Sequence, residues 1–236
     1  MTDYVFETSS GEEIPVVIET RRGLRNMTLR PKILPMREVR VSKPWLISTS
    51  SAVKFIEQKR RWLEKIFDDA PEKIILTDGD IIEFLGKKVI IRHDSYKKSN
   101  FYSKDEKTGE DILIIGGAPE MLTRRVRDFI KSEFLSEVKK IIKTAPMDFH
   151  PKKIAIRDTT SRWGSCSSNG TISFSWRLAF APVDIMRYVI MHELAHLKYM
   201  DHSVHFWATV SHLYGDGVGR AKLWLTKNGQ NLHKYF

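Results

Sequence analysis

The chain has 236 residues, 42% hydrophobic and 29% charged, and 39 Lys and Arg against 29 Asp and Glu give it a formal charge of +10. That balance suits one large globular domain or two small ones; no apolar run approaches the ~18 residues of a membrane span, and the single cysteine, Cys166, excludes an internal disulfide. The opening residues lack the basic and apolar regions of a signal peptide, so a cytoplasmic protein with no membrane partner is expected.

Residues 14–47 read as β-rich, with strands at Ile14–Ile18, Met27–Arg30 and Val39–Val41, and Pro15 places the first of these at a sheet edge. Arg21, Arg22, Arg25, Arg30, Arg37 and Arg40 make this region basic. Solvated strand residues account for them first, and a nucleic-acid contact through the basic surface is the functional expectation beside that. From Ser48 the period changes. Ala52, Phe55, Ile56, Trp62, Leu63 and Ile66 keep helical spacing behind the N-cap candidates Ser48–Ser51, predicting one helix up to Pro71.

Strands are expected again at Lys73–Leu76, Ile81–Leu85 and Val89–Arg92, with turns at Asp78-Gly79 and Gly86-Lys87. Tyr96–Glu110 is polar and reads as a loop, and Asp111–Ile115 as a short strand. Gly116–Pro119 is then the expected boundary, dividing a β-rich N-terminal domain with one helix, residues 1–118, from a second domain, residues 119–236. A long helix over Leu122–Lys143 buries Val126, Phe129, Ile130, Phe134, Val138, Ile141 and Ile142, and Ile154–Arg157 is a strand. SRWGSCSSNGTISFSWRLAF follows and reads as a hairpin, with a type I′ turn at Asn169-Gly170 and a return strand Thr171–Trp176. Such a strand can line a cleft and offer its edge to an extended substrate.

The most informative stretch is MHELAHLKYMDH, Met191–His202. Positions i and i+4 of a helix lie about 40° apart, so His192 and His196 project side by side and can take two corners of a zinc site. Glu193 can take a proton from water beside such an ion, and His202 is the natural third ligand, leaving a fourth position open. Met186, Ile190, Leu194 and Leu197 mark an apolar face on this helix, whose first turn holds Pro182. Phe206, Val210 and Leu213 begin another apolar stripe, so His202 is expected on a loop between two helices, and a final helix is expected over Ala221–Lys227. No internal repeat is visible.

R-W-G-S-C-S at Arg162–Ser167, W-R-L at Trp176–Leu178, H-E-L-A-H-L at His192–Leu197 and H-S-x-x-F-W at His202–Trp207 together resemble the YgjP-like family of metal-dependent hydrolases, described as zinc metallopeptidases related to the SprT-like group. The likeness extends to the basic β-rich start, the K-R-R-W-L segment Lys59–Leu63 and K-L-W-L at Lys222–Leu225. It implies an α+β chain with a zincin-like C-terminal domain, one Zn2+ on His192, His196 and His202, and Glu193 as general base. Some members are associated with nucleoside triphosphate (UTP) pyrophosphatase activity.

Other candidates carry less weight. His205 could replace His202, although the family motif favours His202. Cys166 reads as a small packed residue before it reads as a nucleophile. Arg162 is the substrate-binding candidate, since a guanidinium holds carboxylate or phosphate bidentately. Tyr199 or Tyr214 could donate to an oxyanion. Three functions are thus open: a peptidase acting on peptide or protein, a nucleotide pyrophosphatase at the same site, and a nucleic-acid-binding module with a structural metal. The last is disfavoured by the glutamate and by a ligand set of three.

Overall fold

A computed structural model of the chain describes residues 4–32, 36–69, 74–106, 108–159 and 162–234. It is a mixed α and β protein with two compact units, residues 1–72 and 73–236.

In the first unit, β1 (Tyr4–Glu7), β2 (Glu13–Arg21), β3 (Thr28–Lys32) and β4 (Glu38–Pro44) form one sheet in the order β1-β2-β4-β3. The side-chain period of two points Ile14 and Val16 of β2 and Val39 and Val41 of β4 inward. They pack with Phe6 against Ala52 and Ile56 of α1 (Thr49–Gln58) and Leu63 and Phe67 of α2 (Arg60–Asp68). Ser48 caps α1 by accepting the Ser51 N–H at 3.1 Å. The single helix expected from Ser48 to Pro71 is interrupted at Lys59, and Pro71 lies outside the described residues.

Pro15 does not mark an edge. β2 lies inside the sheet, and Pro15 is tolerated because pairing with β4 begins one residue later, at Val16↔Val39.

The second unit begins with β5 (Ile81–Phe84), β6 (Lys87–Asp94), β7 (Phe101–Lys104) and β8 (Asp111–Gly116), in the order β5-β6-β8-β7. Strand β7 falls where a loop is expected, because Phe101-Tyr-Ser-Lys104 is too short and polar to announce itself. Of the strand expected at Lys73–Leu76, Lys73 lies outside the described residues; Ile74 makes one bridge, its N–H donating to Lys234 O at 2.7 Å.

Behind this sheet lies α3 (Leu122–Ile142), whose Val126, Ile130, Phe134 and Val138 are fully buried. After it come β9 (Lys153–Arg157), β10 (Gly164–Cys166) and β11 (Thr171–Ser175), a 3-10 turn over Trp176–Phe180, α4 (Val183–Ala195), α5 (Val204–Tyr214) and α6 (Val218–Asn228). The small sheet has the order β10-β11-β9, so β10 is an edge strand. Its hairpin is not type I′. Among the described residues Leu85 alone has positive φ without being glycine, which excludes Asn169 from that turn. Instead Gly170 N bonds Ser167 O, Ser167 N bonds Thr171 O and Gly170 takes φ +79°: a type I turn closed by a left-handed glycine.

The boundary expected at 116–119 is not where the compact units divide. Ile82, Phe84, Val89, Ile91, Leu113 and Ile115 of the β5–β8 sheet share one core with α3, β11 and α4. The change from strands to helix at Gly116 lies inside this unit because α3 covers the sheet it follows.

Candidate metal centre

Helix α4 is nearly encased. Ile185, Met186, Tyr188, Val189, Ile190, Met191, Leu194 and Ala195 are all buried, so the apolar face expected from spacing extends most of the way round. Pro182 stands at its N-cap, and His196 caps its C-terminus. The chain then turns through residues 197–203 to α5, whose N-cap Ser203 accepts from Phe206 N; His202 sits just ahead of that cap, between two helices as expected.

This geometry brings His192, His196 and His202 together, with one ring nitrogen from each within 4.8 Å of the others. His202 Nε2 lies 3.4 Å from His192 Nε2. Two ligands about 2.0–2.1 Å from a tetrahedral zinc ion stand roughly 3.3–3.4 Å apart, so that spacing fits an ion between them. The Nδ1 of His196 lies 2.9 Å from Tyr199 O, and a proton there leaves the Nε2 lone pair free. His192 Nδ1 is buried with no hydrogen-bond partner among the described residues. Burial first, then His196, His202 and Lys222, push the pKa of His192 down to about 4, so its ring is neutral at pH 7 and keeps a lone pair on one nitrogen. Burial likewise lowers that of His196.

One residue supports all three imidazoles. Phe206, fully buried, has its ring centre 4.9 Å from His192, 4.4 Å from His196 and 4.8 Å from His202. Sequence spacing marks it only as part of an apolar stripe. Its second role has no local signal, because His202 precedes the α5 N-cap and helical spacing does not relate the two.

Glu193 is 5% exposed, and burial raises its pKa to about 7 against the opposing charge of Arg162. A carboxyl tuned near neutrality can both accept and return a proton. Above it runs β10. Gly164 faces the carboxylate so closely that an added Cβ would stand 2.6 Å from Glu193 Oε1. The ladder to β11 uses Trp163 O, which accepts from Ser175 N, and Ser167 N, which donates to Thr171 O. By antiparallel alternation the main-chain groups of Gly164 and Cys166 turn away from β11, towards an edge that no strand pairs among the described residues.

The remaining candidates separate. Arg162 is exposed and close enough for its charge to act on Glu193. Lys222, which sequence reasoning passes over, holds its Nζ 4.2 Å from the Trp207 ring centre, and that ring lies 5.7 Å from both His192 and His202. His205 is not in the histidine group; its ring stacks on Tyr199 at 5.9 Å. Tyr214 touches Tyr188 at 5.5 Å, and it is Tyr188, one turn before His192, whose ring meets His192 at 6.0 Å. Cys166 is half-buried, and burial followed by the Glu193 charge raises its thiol pKa, the opposite of an activated nucleophile. His233 packs on Trp163 at 5.2 Å. A cavity of about 320 Å³ lies elsewhere, at the Pro182 end of α4, between Phe84, Phe180 and Trp224.

A family model described as YgjP-like, metallopeptidase domain, matches residues 25–228. Among solved structures, the metallopeptidase zymogen of Pyrococcus abyssi abylysin matches with 28% identity over 45% of this chain and 98% of that one, at a TM-score of 0.33. A search of curated proteins finds no significant match.

Proposed function

The chain belongs to the YgjP-like family, defined by its metallopeptidase domain, and from that premise we propose a zinc-dependent hydrolase that cleaves peptide bonds. The observation that carries this reading is the grouping of His192, His196 and His202 beside a buried Glu193, under β10, an edge strand among the described residues. His192, His196 and His202 would hold the ion through Nε2. When bound, a divalent ion supplies Lewis acidity, polarising a carbonyl and acidifying water.

The rest is work for side chains and main chain. The outward N–H and C=O groups of Gly164 and Cys166 take an extended peptide as an added strand. Glu193 accepts the proton of the attacking water and returns it to the leaving amine. Phe206 keeps the three imidazoles from turning, and Arg162 receives a carboxylate at the rim.

A second reading, nucleoside triphosphate pyrophosphatase action at the same site, is favoured by one observation: two cations border the cluster, Arg162 close enough for its charge to act on Glu193 and Lys222 on His192. Assaying an unfolded protein and a nucleoside triphosphate panel side by side, on zinc-loaded protein, separates the two. Under the peptidase reading only the unfolded protein is cut, and Glu193→Gln reduces turnover by about 10³-fold or more while zinc stays bound. Full activity in Glu193→Gln removes the general-base assignment. Turnover of nucleotides alone replaces the first reading with the second.

A further inference from the structure

The general base occupies space that belongs, in most strands, to a side chain. A Cβ at Gly164 would lie 2.5 Å from Glu193 Cγ, 2.6 Å from Oε1 and 2.7 Å from Cδ, distances no packed side chain adopts. Gly164 is not among the glycines with positive φ, so alanine suits its backbone, and the three atoms nearest the added Cβ all belong to Glu193. Nor can the strand retreat. Phe174, directly across the ladder from Gly164, is fully buried on the same face. The preceding residue, on the other face, is clamped: Trp163 packs on His233 and presses so closely on Gly229 that a Cβ there would stand 3.1 Å from its Cζ2. Its carbonyl is tied to Ser175 N at 2.8 Å.

We propose that Gly164 is a positioning residue for the reaction: its missing side chain lets the main chain of β10 rest on the Glu193 carboxylate and holds the base in register with the strand edge where substrate pairs. With the strand clamped and Gly164 replaced, the carboxylate is the part that must turn away. The kinetic consequence rests on the hydrolase reading; the steric coupling does not.

The test is a double-substitution cycle in the full chain, at one fixed zinc chloride concentration. Gly164→Ala should lower the melting temperature by roughly 4 °C or more when Glu193 is present, as overpacking does. In a Glu193→Ala background the same change should be neutral to within about 1 °C, or slightly stabilising, because the collision is gone and glycine costs a strand entropy. If Gly164→Ala fails to fold alone but Gly164→Ala/Glu193→Ala folds, the coupling is upheld. Equal losses in both backgrounds, or failure to fold in both, overturn it. On whichever substrate the protein turns over, Gly164→Ala should lower kcat about tenfold or more, with KM within about twofold and zinc binding unchanged; wild-type kcat overturns the positioning role. Steric coupling in a protein that turns over neither peptides nor nucleotides would leave Gly164 where it is placed here and defeat the hydrolase reading instead.

Discussion

The two four-stranded sheets are built alike and used differently. Order β1-β2-β4-β3 repeats as β5-β6-β8-β7, and in each the outer pairs are antiparallel and the central pair parallel. Each is followed directly by helix, α1–α2 in one case and α3 in the other. The first sheet closes a core of its own. The second merges its buried face with the core under the histidine-bearing helix. Topology is therefore not what fixes the site; what differs is what comes next in the chain, since only the second sheet has three further helices and a hairpin to pack with. The comparison also explains why the compact units do not divide at 116–119. A change from strand to helix periodicity at Ser48 lies within the first unit, and its counterpart at Gly116 lies within the second for the same reason.

Truncation separates these cores most sharply. Protein beginning at residue 73 should keep a cooperative melting transition, and protein beginning at residue 119 should lose it, as followed by circular dichroism. The second cut removes Ile82, Phe84, Val89, Ile91, Leu113 and Ile115, each worth about 1.5–3 kcal/mol when buried, a loss comparable with the ~5–15 kcal/mol that holds a whole domain. A folded 119–236 fragment would mean the sheet is an accessory.

A smaller effect should follow from Arg177→Met in the second unit. Arg177 is buried and ion-paired with Asp158, which keeps about half of its side chain exposed. Losing the pair should cost about 2–3 kcal/mol, below the 3–5 kcal/mol of a fully buried pair because Asp158 can rehydrate. Burial alone would raise the Asp158 pKa, but Arg177, with Trp176 and Lys131, brings it below the usual carboxylate range. A depressed folded pKa means stability that is present above the unfolded pKa of about 3.9 and lost as pH falls through the folded value. Urea melts should show that acid loss in the wild type and a flatter profile in Arg177→Met.

The smallest effect belongs to the first unit. Ser48→Ala removes the α1 cap and should cost about 1 kcal/mol, shifting the transition of residues 1–72 and leaving zinc binding untouched.

Sequence made the grouping of polar side chains in the second unit legible because helical spacing and a short polar motif carry their own geometry: His192, Glu193 and His196 needed only a helix to come together. What long-range packing decides was hidden. Gly164 reads as an ordinary strand residue until Glu193 lies against it, and Phe206 as an ordinary core residue until three imidazoles rest on it. Turn chemistry misled for a related reason. Asn169-Gly170 is the favoured type I′ pair, yet the two-residue loop with both central residues at positive φ is Leu85-Gly86, at 50° and 73°. Leucine is costly there, by roughly 1–3 kcal/mol, and is held by its N–H bond to Ala179 O at 2.6 Å, a partner nearly a hundred residues away that no local pattern reveals. Pro15 misled because proline is barred only from donating, and its place just before the β4 pairing asks for no donor there.

Metal analysis of the purified chain and its single-histidine variants tests the central claim most directly. One zinc ion per chain is expected, held in Glu193→Gln and His205→Ala and lost in each of His192→Ala, His196→Ala and His202→Ala. Retention of stoichiometric zinc in any of those last three, or its loss in His205→Ala, would contradict the proposed centre.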